Sequence, residues 1–101
     1  MTQQTTFEQY VSAFLRELEG GNKSTLTLTA YKTDLLQFFT WLSENDVTVT
    51  NPSQVTRNHV NEYLAFLSLQ GRSGVTRAQK LAAIKSFFAY LKQAARKREK
   101  A

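Results

Sequence analysis

Phe38-Phe39-Thr40-Trp41-Leu42 returns 49 residues later as Phe87-Phe88-Ala89-Tyr90-Leu91, and this repeat decides how the rest of the chain is read. The same offset carries Ser24 onto Ser73, Thr27 onto Thr76 and Leu35 onto Ile84. Each copy begins with Ser-x-x-Thr and runs into an aromatic-rich apolar stripe at helical spacing, the signature of one buried helix face. Each copy also follows a shorter amphipathic segment. The expected fold is therefore all-α, four helices forming two helical hairpins joined near Asn51-Pro52. A long helix used twice points to two equivalent elements presented to one extended partner.

Working outward, the first helix is expected from about Phe7 to Glu19. Thr5 and Glu8 form a capping-box pattern, Phe7, Tyr10, Val11, Phe14 and Leu18 share a face, and Gly20-Gly21 ends it in the left-handed conformation open to glycine. The second is expected from about Thr25 to Asn45 behind Ser24 as N-cap. The alternating Thr25-Leu26-Thr27-Leu28-Thr29-Ala30 also fits a strand, but no other segment offers a partner for one. Thr56 caps a third helix, about Arg57 to Gln70, with Val55 and Val60 placed as a hydrophobic staple and Gly71 as terminator. The fourth starts after Ser73 and runs to about Lys97, its basic end fraying. The expected common core is Tyr31, Leu35, Phe38, Leu64, Leu81, Ile84, Phe88 and Leu91.

A chain of 101 residues suffices for one self-standing domain. With no cysteine, disulfides, thiolate metal sites and cysteine nucleophiles are excluded. Apolar runs are short and the Met1-Thr2-Gln3-Gln4 start is no signal peptide, so a soluble cytoplasmic protein without a membrane partner is expected. The net charge of +5 is unevenly spread. Residues 1–50 hold three Lys or Arg against six Asp or Glu, a net −3, whereas residues 51–101 hold ten against two, a net +8. Such asymmetry points to a polyanion partner on one side.

The sequence is nearly empty of catalytic patterns. Its only histidine, His59, falls at the third position of a helix and reads as a surface or capping residue. No Gly-rich phosphate loop, HExxH, GxSxG or paired-acid constellation is present. No cofactor or metal is expected, and the chain alone is not expected to be an enzyme.

What remains is a polar face on the two long helices. Thr27 and Lys32 lie on the second; Arg72, Thr76, Arg77 and Lys80 lie at or inside the start of the fourth. Hydroxyls and backbone N–H groups can fix register against phosphates while Lys and Arg supply charge, and helix N-termini attract phosphate oxygens. Thr27 and Thr76 are expected to cap first and to contact phosphate as well.

Thr27-Leu28-Thr29-Ala30-Tyr31-Lys32-Thr33-Asp34-Leu35, with Phe38 and Trp41-Leu42, resembles the first motif of the tyrosine recombinases, the phage-integrase family. Val60 to Leu64, and Thr76 to Leu91 after Gly71-Arg72-Ser73, continue the resemblance in order and with the family's spacing. It covers about residues 7 to 92 and only the family's N-terminal core-binding domain. It implies a SAM-like four-helix domain over residues 1–95, with 96–101 a basic tail or the start of a linker to a catalytic domain. It further implies that this domain grips one face of double-stranded DNA during site-specific recombination and integration, its second and fourth helices approaching the major groove. The expected partners are duplex DNA, the catalytic domain of the same protein and neighbouring recombinase subunits in a synaptic complex. The catalytic tyrosine belongs to the other domain; Tyr10, Tyr31, Tyr63 and Tyr90 read as packing residues.

The competing reading is a small helical protein-interaction module that binds no DNA. Leu36, Trp41 and Phe66 sit off the main stripes and would form its docking surface.

Overall fold

The structure is a computed structural model that describes residues 6–21, 23–45, 49 and 51–100, with side chains from Phe7 to Ala94 within that set. Its elements are α1 (Thr6–Gly20), α2 (Thr25–Asn45), a 3-10 turn (Pro52–Gln54), α3 (Arg57–Leu69) and α4 (Gly74–Lys100). No strand occurs among the described residues, so the alternating threonines open a helix. Thr5 and its half of the first capping box lie outside the described residues.

Local chemistry accounts for the boundaries. The Thr27 N–H donates to Ser24 Oγ at 3.1 Å and the Thr76 N–H to Ser73 Oγ at 3.1 Å, so the two long helices are capped alike. At α3, Thr56 Oγ1 accepts from the His59 N–H, and His59 Nδ1 accepts from the Thr56 N–H at 2.9 Å. His59 thus takes the place a Glu or Gln has in the usual capping box. The link to α3 is tightened by Asn51, whose side chain accepts from the Ser53 N–H at 3.0 Å while its own N–H donates to Gln54 Oε1 at 3.1 Å.

Two helix ends differ from expectation. Gly71 has φ +78°, and the bonds Gly71 N–H to Ser68 O and Arg72 N–H to Leu67 O, both 3.0 Å, complete a Schellman motif behind α3. Gly20 and Gly21 do not take that conformation; Leu18 O accepts from both the Gly21 N–H at 3.0 Å and the Lys23 N–H at 3.3 Å at the end of α1. At the other end, α4 continues to Lys100 rather than stopping near Lys97, in keeping with the strong helix propensity of Ala, Arg, Lys and Glu there.

The core is aromatic. Phe14 of α1 meets Phe87 edge-to-face at 5.5 Å and lies 5.5 Å from Tyr90, while Phe7 stacks on Phe39 at 4.2 Å. Phe38 and Trp41 of α2 reach Tyr63 of α3 at 5.0 and 5.2 Å. The repeat is visible in this packing: Leu35 and Ile84, and Phe38 and Phe87, are fully buried pairs at the 49-residue offset. Of the expected core, Leu35, Phe38 and Ile84 are buried, whereas Tyr31, Leu64, Phe88 and Leu91 pack against it partly exposed. Phe87, not Phe88, fills the centre. Leu81 lines a groove between α3 and α4 instead. No helix among the described residues is long and apolar enough to cross a membrane.

Candidate nucleic-acid interface

The openings of α2 and α4 have the same geometry bond for bond. Besides its accepted N–H, each cap serine donates its hydroxyl to the threonine three residues on: Ser24 Oγ to Thr27 Oγ1 at 2.9 Å, and Ser73 Oγ to Thr76 Oγ1 at 3.0 Å. The first intrahelical bonds also match, Leu28 N–H to Ser24 O and Arg77 N–H to Ser73 O, both 3.0 Å. The N–H groups of the first two helical residues, Thr25 and Leu26 in one copy and Gly74 and Val75 in the other, have no intrahelical acceptor. Each threonine keeps its own hydroxyl proton to donate.

A feature absent from the expected set joins these openings. Leu26 is 84% exposed and Val75 70% exposed, and they are equivalent under the repeat. Single exposed aliphatics are ordinary, as at Leu69, which is 90% exposed; Leu26 and Val75 stand at equivalent positions of the two openings. The repeat makes the two positions equivalent, but their exposure follows only from how the helices pack.

The six expected site residues divide. Thr27 and Thr76, expected to cap, do not: Ser24 and Ser73 are the caps, and each partly exposed threonine gives its N–H to that serine and accepts the serine hydroxyl. Lys32 is exposed and lines a groove between α1 and α2 with Leu15, Arg16, Glu19 and Leu28, so Arg16 is a neighbouring cation outside the expected set. Arg77 lines the groove between α3 and α4 with Leu64, Ser68 and Leu81. Arg72 is exposed, and its backbone is fixed by the Schellman bond to Leu67.

Lys80 departs from expectation. It is 6% exposed, and its ammonium donates to Asp34 Oδ1 at 2.9 Å and to Gln37 Oε1. An ammonium engaged by a carboxylate within the fold is not a surface cation, so its placement on the polar face is corrected: it ties α4 to α2 internally. Tyr63 stands in the same neighbourhood. Burial pushes its phenol up to about 12, the Asp34 carboxylate adds to the rise, and the Arg72 guanidinium opposes it. Arg72 thus approaches the cluster formed by Asp34, Lys80 and Tyr63, whereas Lys32 and Arg77 line separate grooves.

The docking surface of the competing reading is not present as expected. Trp41 and Phe66 lie 5.9 Å apart and pack against the core with Tyr63, and Leu36 is only partly exposed. A larger groove of about 700 Å³, lined by Tyr10, Pro52, Val55, Phe88 and Leu91 among others, contains none of the six expected residues. Among the described residues no group of three His, Cys, Asp or Glu could hold a metal ion.

Residues 11–95 match the family model described as phage integrase, N-terminal SAM-like domain. The chain is 34% identical over 88 residues to tyrosine recombinase XerC of Chlorobaculum tepidum, an alignment covering 82% of this chain and 26% of that protein. It is 34% identical over 91 residues to tyrosine recombinase XerC of Listeria welshimeri, covering 90% and 29%. Against tyrosine recombinase XerD of Bifidobacterium longum it is 33% identical over 64 residues, covering 63% and 20%. The chain therefore spans less than a third of the length of these relatives. No solved structure matches it significantly.

Proposed function

Because this chain belongs to the phage-integrase N-terminal SAM-like domain family, we propose that it binds duplex DNA at a recombination half-site and serves site-specific recombination as the non-catalytic grip of a longer tyrosine recombinase. The observation that carries this reading is the doubled helix opening, in which two Ser-x-x-Thr turns with matching bonds each present free N–H groups, a threonine hydroxyl and an exposed aliphatic side chain. Repeated openings suit a repeating polyanion. The free N–H groups, Thr27, Thr76, Lys32, Arg72 and Arg77 would hold phosphates, which fixes register without reading sequence. Leu26 and Val75 would lie against thymine methyl groups, the apolar feature of the major groove.

Cleavage and joining are assigned to a further domain of the longer protein. Tyr63 is buried with a phenol held neutral and Tyr31 and Tyr90 are partly buried against the core, as packing residues are, whereas Tyr10, also expected to pack, is 36% exposed. Duplex DNA, that catalytic domain and neighbouring recombinase subunits are the partners this reading requires, in the compartment where the DNA lies.

The test is duplex binding by fluorescence anisotropy across a salt series. Affinity should fall steeply with salt, and Lys32→Gln and Arg77→Gln should each flatten the logarithmic slope by about one phosphate equivalent. Binding that is indifferent to salt would contradict the reading.

A further inference from the structure

Lys80 is the one buried charged residue among the described residues, and it joins the two copies of the repeat. Its side chain is 7% exposed and that of Asp34 17%, and their contact crosses from α4 to α2 at a separation of 46 residues. Gln37, one turn beyond Asp34, takes a second proton of the same ammonium. Asp34 lies seven residues past Thr27 and Lys80 four past Thr76, so the bond sits within three turns of both helix openings. Deeper along the pair, Phe39 meets Phe87 at 5.5 Å. The two contacts ascend together along both helices, which leaves both openings toward the same end.

We propose that Asp34, Lys80 and Gln37 form a positioning clamp that sets where the opening of α4 stands relative to the opening of α2. The physical ground is a difference in directionality. The edge-to-face contacts of Phe87 with Phe39 and Phe14 hold α4 to the core, but apolar attraction is less directional than a charged hydrogen bond. A charge-assisted bond with a second acceptor fixes distance and angle together. Buried ion pairs add little net stability compared with apolar replacements, and their best-attested use is to specify register. The pair is also neutral as a unit, so removing both charges leaves the net charge of +5 unchanged.

This inference rests on the DNA-binding reading only for its consequence, and the experiment separates the two. The chain has no cysteine, so Leu26→Cys and Val75→Cys at exposed positions give two clean spin-label sites. The interlabel distance distribution is measured in the parent, in Asp34→Leu with Lys80→Met, and in Lys80→Arg, which keeps the charged bond. We expect a narrow distribution in the parent and in Lys80→Arg, and a broadened or displaced one in the double variant. In unlabelled protein the double variant should keep its helical circular dichroism and the parent's salt slope while its Kd for a duplex rises about tenfold. If the double variant does not fold, Asp34→Asn with Lys80→Gln is held to the same criteria. An unchanged distance distribution overturns the clamp whatever the DNA result. A salt slope flattened by about one phosphate equivalent also overturns it, because Lys80 would then touch the backbone directly. A broadened distribution in a protein whose parent binds no duplex leaves the clamp standing and removes the DNA-binding reading.

Discussion

At the scale of single residues, burial decides chemistry more than residue type does. Tyr63 is 2% exposed, and burial beside the Asp34 carboxylate lifts its phenol from 10.0 to about 12. The unfolded chain releases that proton near 10, so the unfolded state gains free energy from ionisation before the folded state can. Stability is therefore fully present below pH 10 and is lost as pH rises from about 10 to about 12, by up to roughly 2–3 kcal/mol. Urea unfolding at pH 9 and near pH 12 should show this loss in the parent and a smaller loss in Tyr63→Phe; equal losses would remove Tyr63 as its source. Lys80 shows why the sequence misleads at this scale. It has the same charge and helical setting as an exposed lysine, and its partners Asp34 and Gln37 lie 46 and 43 residues away. No local pattern reports so distant a partner.

At the scale of elements, the legible features were those with local causes. Caps act within three residues, so α2 begins at Thr25 and α3 at Arg57 as read from Ser24 and Thr56. Because the openings of α2 and α4 share bond lengths and partners, Ser24→Ala and Ser73→Ala should each cost about 1 kcal/mol, and by similar amounts. Chemical denaturation of the two variants checks this, and a cost confined to one would break the equivalence. Glycine pairs were harder to read. Gly71 takes the left-handed turn and Gly20-Gly21 does not, since a glycine permits that conformation without requiring it. Choosing between Phe87 and Phe88 as the central residue also exceeded periodicity. Both fall on the apolar side, and only the approach of Phe14 from α1 and Phe39 from α2 puts Phe87 at the centre.

At the scale of the whole molecule, the repeat links the fold to the proposed function. It places fully buried pairs at Leu35 with Ile84 and Phe38 with Phe87, and it sets two equivalent openings, each with an exposed aliphatic at Leu26 and Val75. The four-helix architecture was legible because it follows from stripe spacing and caps. The candidate surface was legible only in part: its threonines and Arg72, Arg77 and Lys32 were marked by type and position, while the internal use of Lys80 and the exposure of Leu26 and Val75 depend on how the helices pack. The most direct test is chemical-shift perturbation of the labelled domain on titration with duplex DNA. Shifts should centre on Ser24 to Lys32 and on Arg72 to Arg77, with both openings responding together. Shifts centred on α1 and Glu44, or none at all, would contradict the assignment of this surface to DNA.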